Sequence, residues 1–229
     1  MTVVSIHQPG YLPWLGFFKK IEFSDVFVFL DDAQYVKNGH QNRNKIRTEE
    51  GEMWLTIPTT GKFKTILKDI QIDNTSRWKE KHSKSIVQNY SKAEFFNKYW
   101  EEMDIFYQKD YEYLIDFNME IILFLMKKFE IKTKILFSSE LEISTEGSER
   151  ILDICKLLNA EKYLSGISAN LMVLFCFLIK LRDLFFAIVN NHPETLNGSC
   201  NSIILVKAVI SVSCKISFAA SSSKISVLI

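Results

Sequence analysis

Apolar and polar positions alternate along the chain in blocks that change period several times. Residues 3–6 form a short β-branched run closed by His7-Gln8-Pro9-Gly10, which predicts a buried strand ending in a turn. Residues 16–23 follow with Leu15, Phe18 and Ile21 near one apolar face, the spacing of a helix. Ser24-Asp25 interrupts it, and residues 26–30 are continuously apolar, as expected of a strand covered on both faces. Strand, helix and strand at this spacing predict a parallel βαβ unit.

Residues 53–57 and 66–72 alternate like further strands, with Gly61 between them as turn material. From 78 to about 129 the period becomes helical. Trp78, His82, Ile86 and Tyr90 recur at four-residue steps, and Tyr113, Phe117, Ile121, Phe124 and Met126 define a second, more apolar helix. Residues 134–137 predict a strand, 148–158 a helix, and 162–164 a strand closing at Ser165-Gly166. The stretch 1–169 therefore predicts an α/β fold with a mostly parallel sheet and inserted helices.

The last sixty residues differ in kind. Residues 170–229 hold seven charged side chains and neither tryptophan nor tyrosine, although the whole chain has four tryptophans and eight tyrosines. Serines stand among aliphatic residues there, giving uncharged, β-prone windows such as 203–206 and 225–229. The organisation expected is an α/β domain over 1–169, incomplete at its carboxyl end, and an atypical tail over 170–229.

Composition narrows the function classes. With 229 residues and 47% apolar content the chain suits a globular core. Lys+Arg 28 against Asp+Glu 27 leaves no global field to recruit nucleic acid or a membrane surface. The start MTVVSIHQPG lacks the features of a secretory signal, so a cytoplasmic location is expected. The longest apolar run, 171–179, is too short for a transmembrane segment, and none is expected. Cys155, Cys176, Cys200 and Cys214 have no metal-ligand spacing and read as free thiols, with no metal site expected.

Three clusters carry candidate chemistry. The first, His7-Gln8-Pro9-Gly10-Tyr11 through Trp14 and Gly16, sits between a strand's carboxyl end and a helix start, where backbone amides and the helix end favour an anion. His7 is the candidate acid or base, with Gln8, Tyr11 and Trp14 as candidate ligand contacts. The alternative is that the prolines and glycines only shape a turn, with Tyr11 and Trp14 as lids on the core. The second, Asp31-Asp32-Ala33-Gln34-Tyr35, lies directly after the next strand. Asp31 and Asp32 are catalytic candidates as base, sugar-hydroxyl contact or magnesium ligand, and Gln34 is a binding candidate; equally, the aspartates could cap the next turn. The third runs from Lys37 to Arg47, where Asn42, Arg43, Lys45 and Arg47 offer amides and a row of cations. Extended backbone puts Arg43, Lys45 and Arg47 on one side, suited to phosphate or carboxylate, although a charge run is ordinarily a solvated face. This basic footprint is too short for nucleic acid on a neutral chain. His82, among Lys79, Lys81 and Lys84, reads as a surface residue, and Cys155 as core.

The segments HQPGYLPWLGFFKKI, SDVFVFLDDAQY, NRNKIRT, WLTIP and ERILDICKLLNAEKYLSG together resemble the WbqC-like protein family from about Val3 to Ala169. The resemblance implies a setting in bacterial surface polysaccharide and O-antigen (lipopolysaccharide) sugar biosynthesis and a transferase role, and leaves any cofactor unknown. The first segment is also similar to the nucleotidylyltransferase signature, implying a Rossmann-like sheet. Trp14 and Phe17 stand where that signature has histidines, which argues against adenylyl transfer.

A nucleotide-linked or otherwise anionic sugar is thus the expected ligand. The alternatives from other classes are a non-enzymatic sugar-binding or assembly module and an inactive, truncated remnant. The abrupt end of the resemblance near Ala169 leads to the hypothesis that 170–229 arise from a frameshift or read-through. Limited proteolysis read by intact mass is expected to cut just after Ala169 and leave a resistant core; resistance through all 229 residues would remove the junction.

Overall fold

The computed structural model describes residues 2–61 and 64–165. The expectations for the tail lie outside the described residues. The elements are β1 (Val3–His7), α1 (Leu15–Glu22), β2 (Val26–Phe29), β3 (Arg43–Thr48), β4 (Gly51–Thr56), β5 (Thr59–Thr60), β6 (Gln71–Ile72), α2 (Trp78–Tyr90), α3 (Phe96–Gln108), α4 (Leu114–Lys128), β7 (Lys134–Phe137), α5 (Gly147–Leu157) and β8 (Lys162–Tyr163).

The α/β expectation holds. Four strands form a parallel sheet in the order β7-β2-β1-β8. Strand alternation explains its two covered faces. Phe27 and Phe29 pack with Phe17, Phe18 and Ile21 of α1 and Met119, Ile122 and Met126 of α4. Val4, Ile6 and Val28, which point the opposite way, pack with Ile154 and Cys155 of α5. Ends are tied by side chains: the Asp25 carboxylate accepts the Val3 amide at 2.7 Å, and the Thr133 hydroxyl donates to the Ile21 carbonyl at 2.8 Å.

A second core lies beside the sheet. Ile46 and Leu55 of the antiparallel β3–β4 hairpin, Trp78 of α2, Phe106 and Tyr107 of α3, and Leu114, Phe117 and Ile121 of α4 share it. One helix, α4, therefore serves both cores, with Phe117 and Ile121 on one side and Met119, Ile122 and Met126 on another. A helix buried this far around needs nearly continuous apolar sequence, as LIDFNMEIILFLM supplies.

Three sequence expectations change. Residues 66–72 form a 3-10 turn over Leu67–Asp69 followed by the two-residue β6, instead of one strand. Their amides serve the segment after β2: Leu67 donates to the Ala33 carbonyl at 2.9 Å and Lys68 to the Asp31 carbonyl at 2.8 Å. The helical stretch resolves into three helices, with α3 between the two expected. His82, expected at the surface, is buried at 5% exposure because the Trp78–His82 stripe, not the lysines around it, faces the core.

His82 closes a polar chain through this core. The Tyr11 hydroxyl lies 3.0 Å from His82 Nδ1 and 2.7 Å from the Tyr107 hydroxyl, while the imidazole also bonds the Thr56 backbone. The Thr56 carbonyl accepts an imidazole N–H, so Tyr11 donates to the bare Nδ1 and Tyr107 donates to Tyr11. Burial pushes the imidazole down to about 4, from an ordinary value of 6.5. The unfolded chain therefore binds a proton that the folded chain refuses. Stability is expected to be complete above pH 6.5 and to fall by about 3 kcal/mol as pH drops toward 4. Urea unfolding across this range checks it; His82→Gln is expected to flatten the slope.

Candidate functional site

Because the four strands are parallel, their carboxyl ends share one edge. His7 ends β1, Leu30-Asp31-Asp32 follows β2, Ser138-Ser139 follows β7, and Leu164-Ser165 follows β8. Chain order makes this edge informative: β1, β2 and β7 progress one way, and β8 returns to the far side of β1. The connection therefore reverses direction between β1 and β8, where open α/β sheets form a ligand crevice.

His7 sits at that point, partly buried, with its ring edge-on to Phe17 at 5.3 Å and Trp14 at 6.1 Å between centroids. Nδ1 lies 2.8 Å from the Gln8 carbonyl. A carbonyl only accepts, so Nδ1 carries the proton and the neutral ring leaves its Nε2 lone pair for chemistry. Burial lowers the imidazole below its ordinary value; the Gln8 bond opposes this, and the charges of Lys20 and His40 add to the lowering. His7 is thus a neutral base at pH 7.

The loop after His7 is held against the segment before β3. The Gln41 amide nitrogen donates to Gln8 Oε1 at 2.9 Å, the Tyr11 amide donates to the His40 carbonyl at 3.0 Å, and Asn44 Nδ2 donates to the Leu12 carbonyl at 2.6 Å. A Cβ on Gly10 would stand 3.0 Å from that His40 carbonyl, so glycine allows the close approach and a side chain would push the two segments apart. At Gly16 a Cβ would meet the Trp14 indole nitrogen at 2.4 Å, so a side chain there would displace the indole from its place over the start of α1. Trp14, 61% exposed, folds over the start of α1 beside His7 and offers an open aromatic surface.

The expected site residues divide into two groups. His7, Gln8, Trp14, Asp31 and Asp32 gather near the carboxyl edge, and Arg43, Lys45 and Arg47 line up on β3. Tyr11 and Asn42 take bracing positions instead of ligand-facing ones: they are 1% and 2% exposed, Tyr11 in the His82 chain and Asn42 donating to the Ile57 carbonyl at 2.8 Å. Gln34 is exposed and bridges Ile66 through its backbone.

Asp31 and Asp32 organise the turn after β7. Asp31 accepts the Ser139 amide at 2.9 Å, the Ser138 hydroxyl at 3.0 Å and the Ser139 hydroxyl at 2.5 Å. Asp32 shares the single Ser138 hydroxyl proton with Asp31 and accepts, at 2.5 Å, from Arg150 of α5. Burial alone would raise the Asp32 carboxyl, but these bonds and the Arg150 charge outweigh it and hold it below the ordinary carboxylate range. The turn-capping alternative thus describes much of what the aspartates do. Among the described residues no group of three or more His, Cys, Asp or Glu is placed to hold a metal ion.

On the hairpin, Arg43, Lys45 and Arg47 do share a face, opposite Thr56, Trp54 and Glu52. The Arg43 guanidinium lies 4.2 Å and the Lys45 ammonium 5.1 Å from the Trp54 ring centre, and Lys45 pairs with Glu52 at 2.5 Å. Arg43 Nε is buried without a partner. Sequence reasoning missed Trp54, His40, Lys20 and Arg150. WLTIP signalled a strand, but only the pairing register puts Trp54 opposite Lys45. Nothing in the local sequence links Lys20 to His7 or Arg150 to Asp32.

An α/β protein with a four-stranded parallel sheet and a half-buried histidine at its strand-order reversal is what this arrangement defines. The chain belongs to the WbqC-like protein family, whose profile matches residues 8–175. It is 32% identical over 173 residues to the uncharacterized protein Rv1507c of Mycobacterium tuberculosis, covering 74% of each chain. No solved structure matches it. No helix among the described residues is long and apolar enough to cross a membrane.

The Asp32–Arg150 pair fastens α5 to the edge while both side chains are largely out of water. Arg150→Met leaves the Asp32 carboxylate without its cation, and urea unfolding is expected to show a loss of about 2–4 kcal/mol. A loss below about 0.5 kcal/mol, typical of a surface pair, would remove this anchoring role.

Proposed function

We propose that this chain is a transferase in bacterial surface polysaccharide biosynthesis, acting in the cytoplasm on O-antigen or related lipopolysaccharide sugars. Its substrate is a nucleotide-linked or otherwise anionic sugar, bound at the carboxyl edge of the parallel sheet. The observation that carries this reading is the tautomer of His7: Nδ1–H is committed to the Gln8 carbonyl, and Nε2 is a neutral acceptor at the β1–β8 reversal. In the reaction, an amino group of the sugar bonds to a small group carried by an activated donor, the bond between that group and its carrier breaks, and His7 moves the proton from the nitrogen to the departing carrier.

Arg43 and Arg47 supply fixed positive charge toward the anion, with Lys45 sharing its charge with Glu52. Asp31 and Asp32 hold the crevice wall through Ser138, Ser139 and Arg150, and the acceptor positions left on Asp32 orient sugar hydroxyls. Trp14 gives the sugar ring an apolar face. The polysaccharide setting is what the resemblance of the sequence motifs implies, and membership of the WbqC-like family is consistent with it.

The test is a panel of nucleotide-linked amino sugars offered with activated donors of small groups, with binding by calorimetry and consumption by mass spectrometry. His7→Gln is expected to lower turnover by about 10²-fold or more while leaving binding within about threefold. Unchanged turnover would remove the assignment of His7. Saturable binding without donor consumption would instead identify a binding module.

A further inference from the structure

Lys20 combines half-burial with the lack of a carboxylate partner, whereas Lys37, Lys68, Lys81, Lys84 and Lys127, also without an ion pair among the described residues, stand exposed in water. Lys19, Lys45, Lys79, Lys109, Lys128 and Lys156 each meet a carboxylate, whereas Lys20 forms no ion pair among the described residues. Its ammonium donates to the Ile6 carbonyl at 3.0 Å and lies 5.9 Å from the Phe27 ring centre. Three N–H donors are present and one neutral acceptor answers them. A substantially buried charge left this way is costly, and a sequence that keeps it invites the question of what completes it.

Its location suggests the answer. Lys20 lies in the last turn of α1, but helical side chains lean toward the helix start, and the Ile6 bond shows the ammonium reaching the last residues of β1. Ser5 and His7 alternate onto the face toward α1: the Ser24 hydroxyl donates to Ser5 at 2.7 Å, and His7 packs on Phe17. Ser5 in turn donates to the Leu164 carbonyl at 3.1 Å, across the β1–β8 reversal. A polar seam thus runs through the apolar wall of the sheet toward the crevice, with Lys20 as its cation and His7 as its mouth.

We infer that Lys20, beside His7 at the β1–β8 reversal, is an anion-binding residue whose ammonium takes the diphosphate of an activated substrate. This rests on the crevice reading given under Proposed function and adds a contact that the hairpin cations do not make. The bound diphosphate supplies the missing countercharge. It also offsets the Lys20 charge that weakens His7 as a base, so an occupied site holds a stronger base than an empty one.

The experiment titrates pyrophosphate into the full 229-residue chain. One-to-one binding is expected, weakened about tenfold or more in Lys20→Met and kept within about threefold in Lys20→Arg. Lys127→Met, an exposed control, is expected to bind as wild type does. Lys20→Met is also expected to raise the melting temperature, the opposite of what loss of a structural lysine does. Uridine diphosphate and farnesyl diphosphate are run alongside; a gain over pyrophosphate by either supports the site and says whether the source is a nucleotide or a lipid. Wild-type binding that survives Lys20→Met, or no binding by wild type, overturns the inference. If binding is lost in Arg43→Ala but kept in Lys20→Met, the anion rests on the hairpin: the inference falls and the transferase reading stands. Should Lys20→Met fail to fold, the wild-type chain decides, because pyrophosphate must move the His7 imidazole resonances, and binding without that shift refutes the subsite.

Discussion

The amide of Gln41 holds together the parts that matter. Its nitrogen donates to the Gln8 side chain and its oxygen accepts the Val36 amide at 3.0 Å, while its carbonyl accepts Asn118 of α4 at 2.8 Å. One residue, 4% exposed, thereby ties the loop after β1, the segment leading to β3, and the helix shared by both cores. Buried polar groups paired in this way favour one arrangement, because moving any of the three segments breaks several of these bonds at once. The position of His7 against the hairpin rests on this junction as much as on the sheet.

Around that junction, two packing problems are solved by one helix. The sheet needs a cover on the Phe27 and Phe29 face, and the hairpin with α2 and α3 needs a floor; α4 provides both. The sheet edge is then free to collect polar side chains from strands distant in sequence. Asp31 and Asp32 reach Ser138, Ser139 and Arg150 across separations of more than a hundred residues, and Ser5 reaches Leu164. A wall built this way is held in place by the bonds that both carboxylates make to the fold. Among the described residues, spare capacity remains on His7 through Nε2, on Asp32 through its remaining acceptor positions, on Lys20 through its unanswered N–H groups, on Arg43 through Nε, and on Trp14 through its open face.

Much of the sheet was legible. Residues 134–137 coincide with β7, and the β1, α1, β2 and α5 expectations differ from the structure by a residue or so at their ends. Those segments announce themselves by period and by their breakers, Ser24-Asp25 above all. The segment 66–72 was misread because Leu67 and Ile70, three apart and both fully buried, fit a tight turn as well as an alternating strand. His82 was misread because its neighbouring lysines disguised a core stripe. Within the candidate site, extended backbone correctly aligned Arg43, Lys45 and Arg47, but Tyr11 and Asn42 turned inward, and their burial depends on helices that lie far along the chain.

By itself the sequence determined the βαβ start, the α/β class and the presence of a histidine and paired aspartates at strand ends, since these follow from local period and turn chemistry. Tertiary structure alone decided which side chains keep free valences. Burial of Lys20 without a carboxylate, occupation of Asp32 by Arg150, and the stacking of Arg43 on Trp54 are set by strand order and pairing register, and neither is encoded within a window of neighbouring residues.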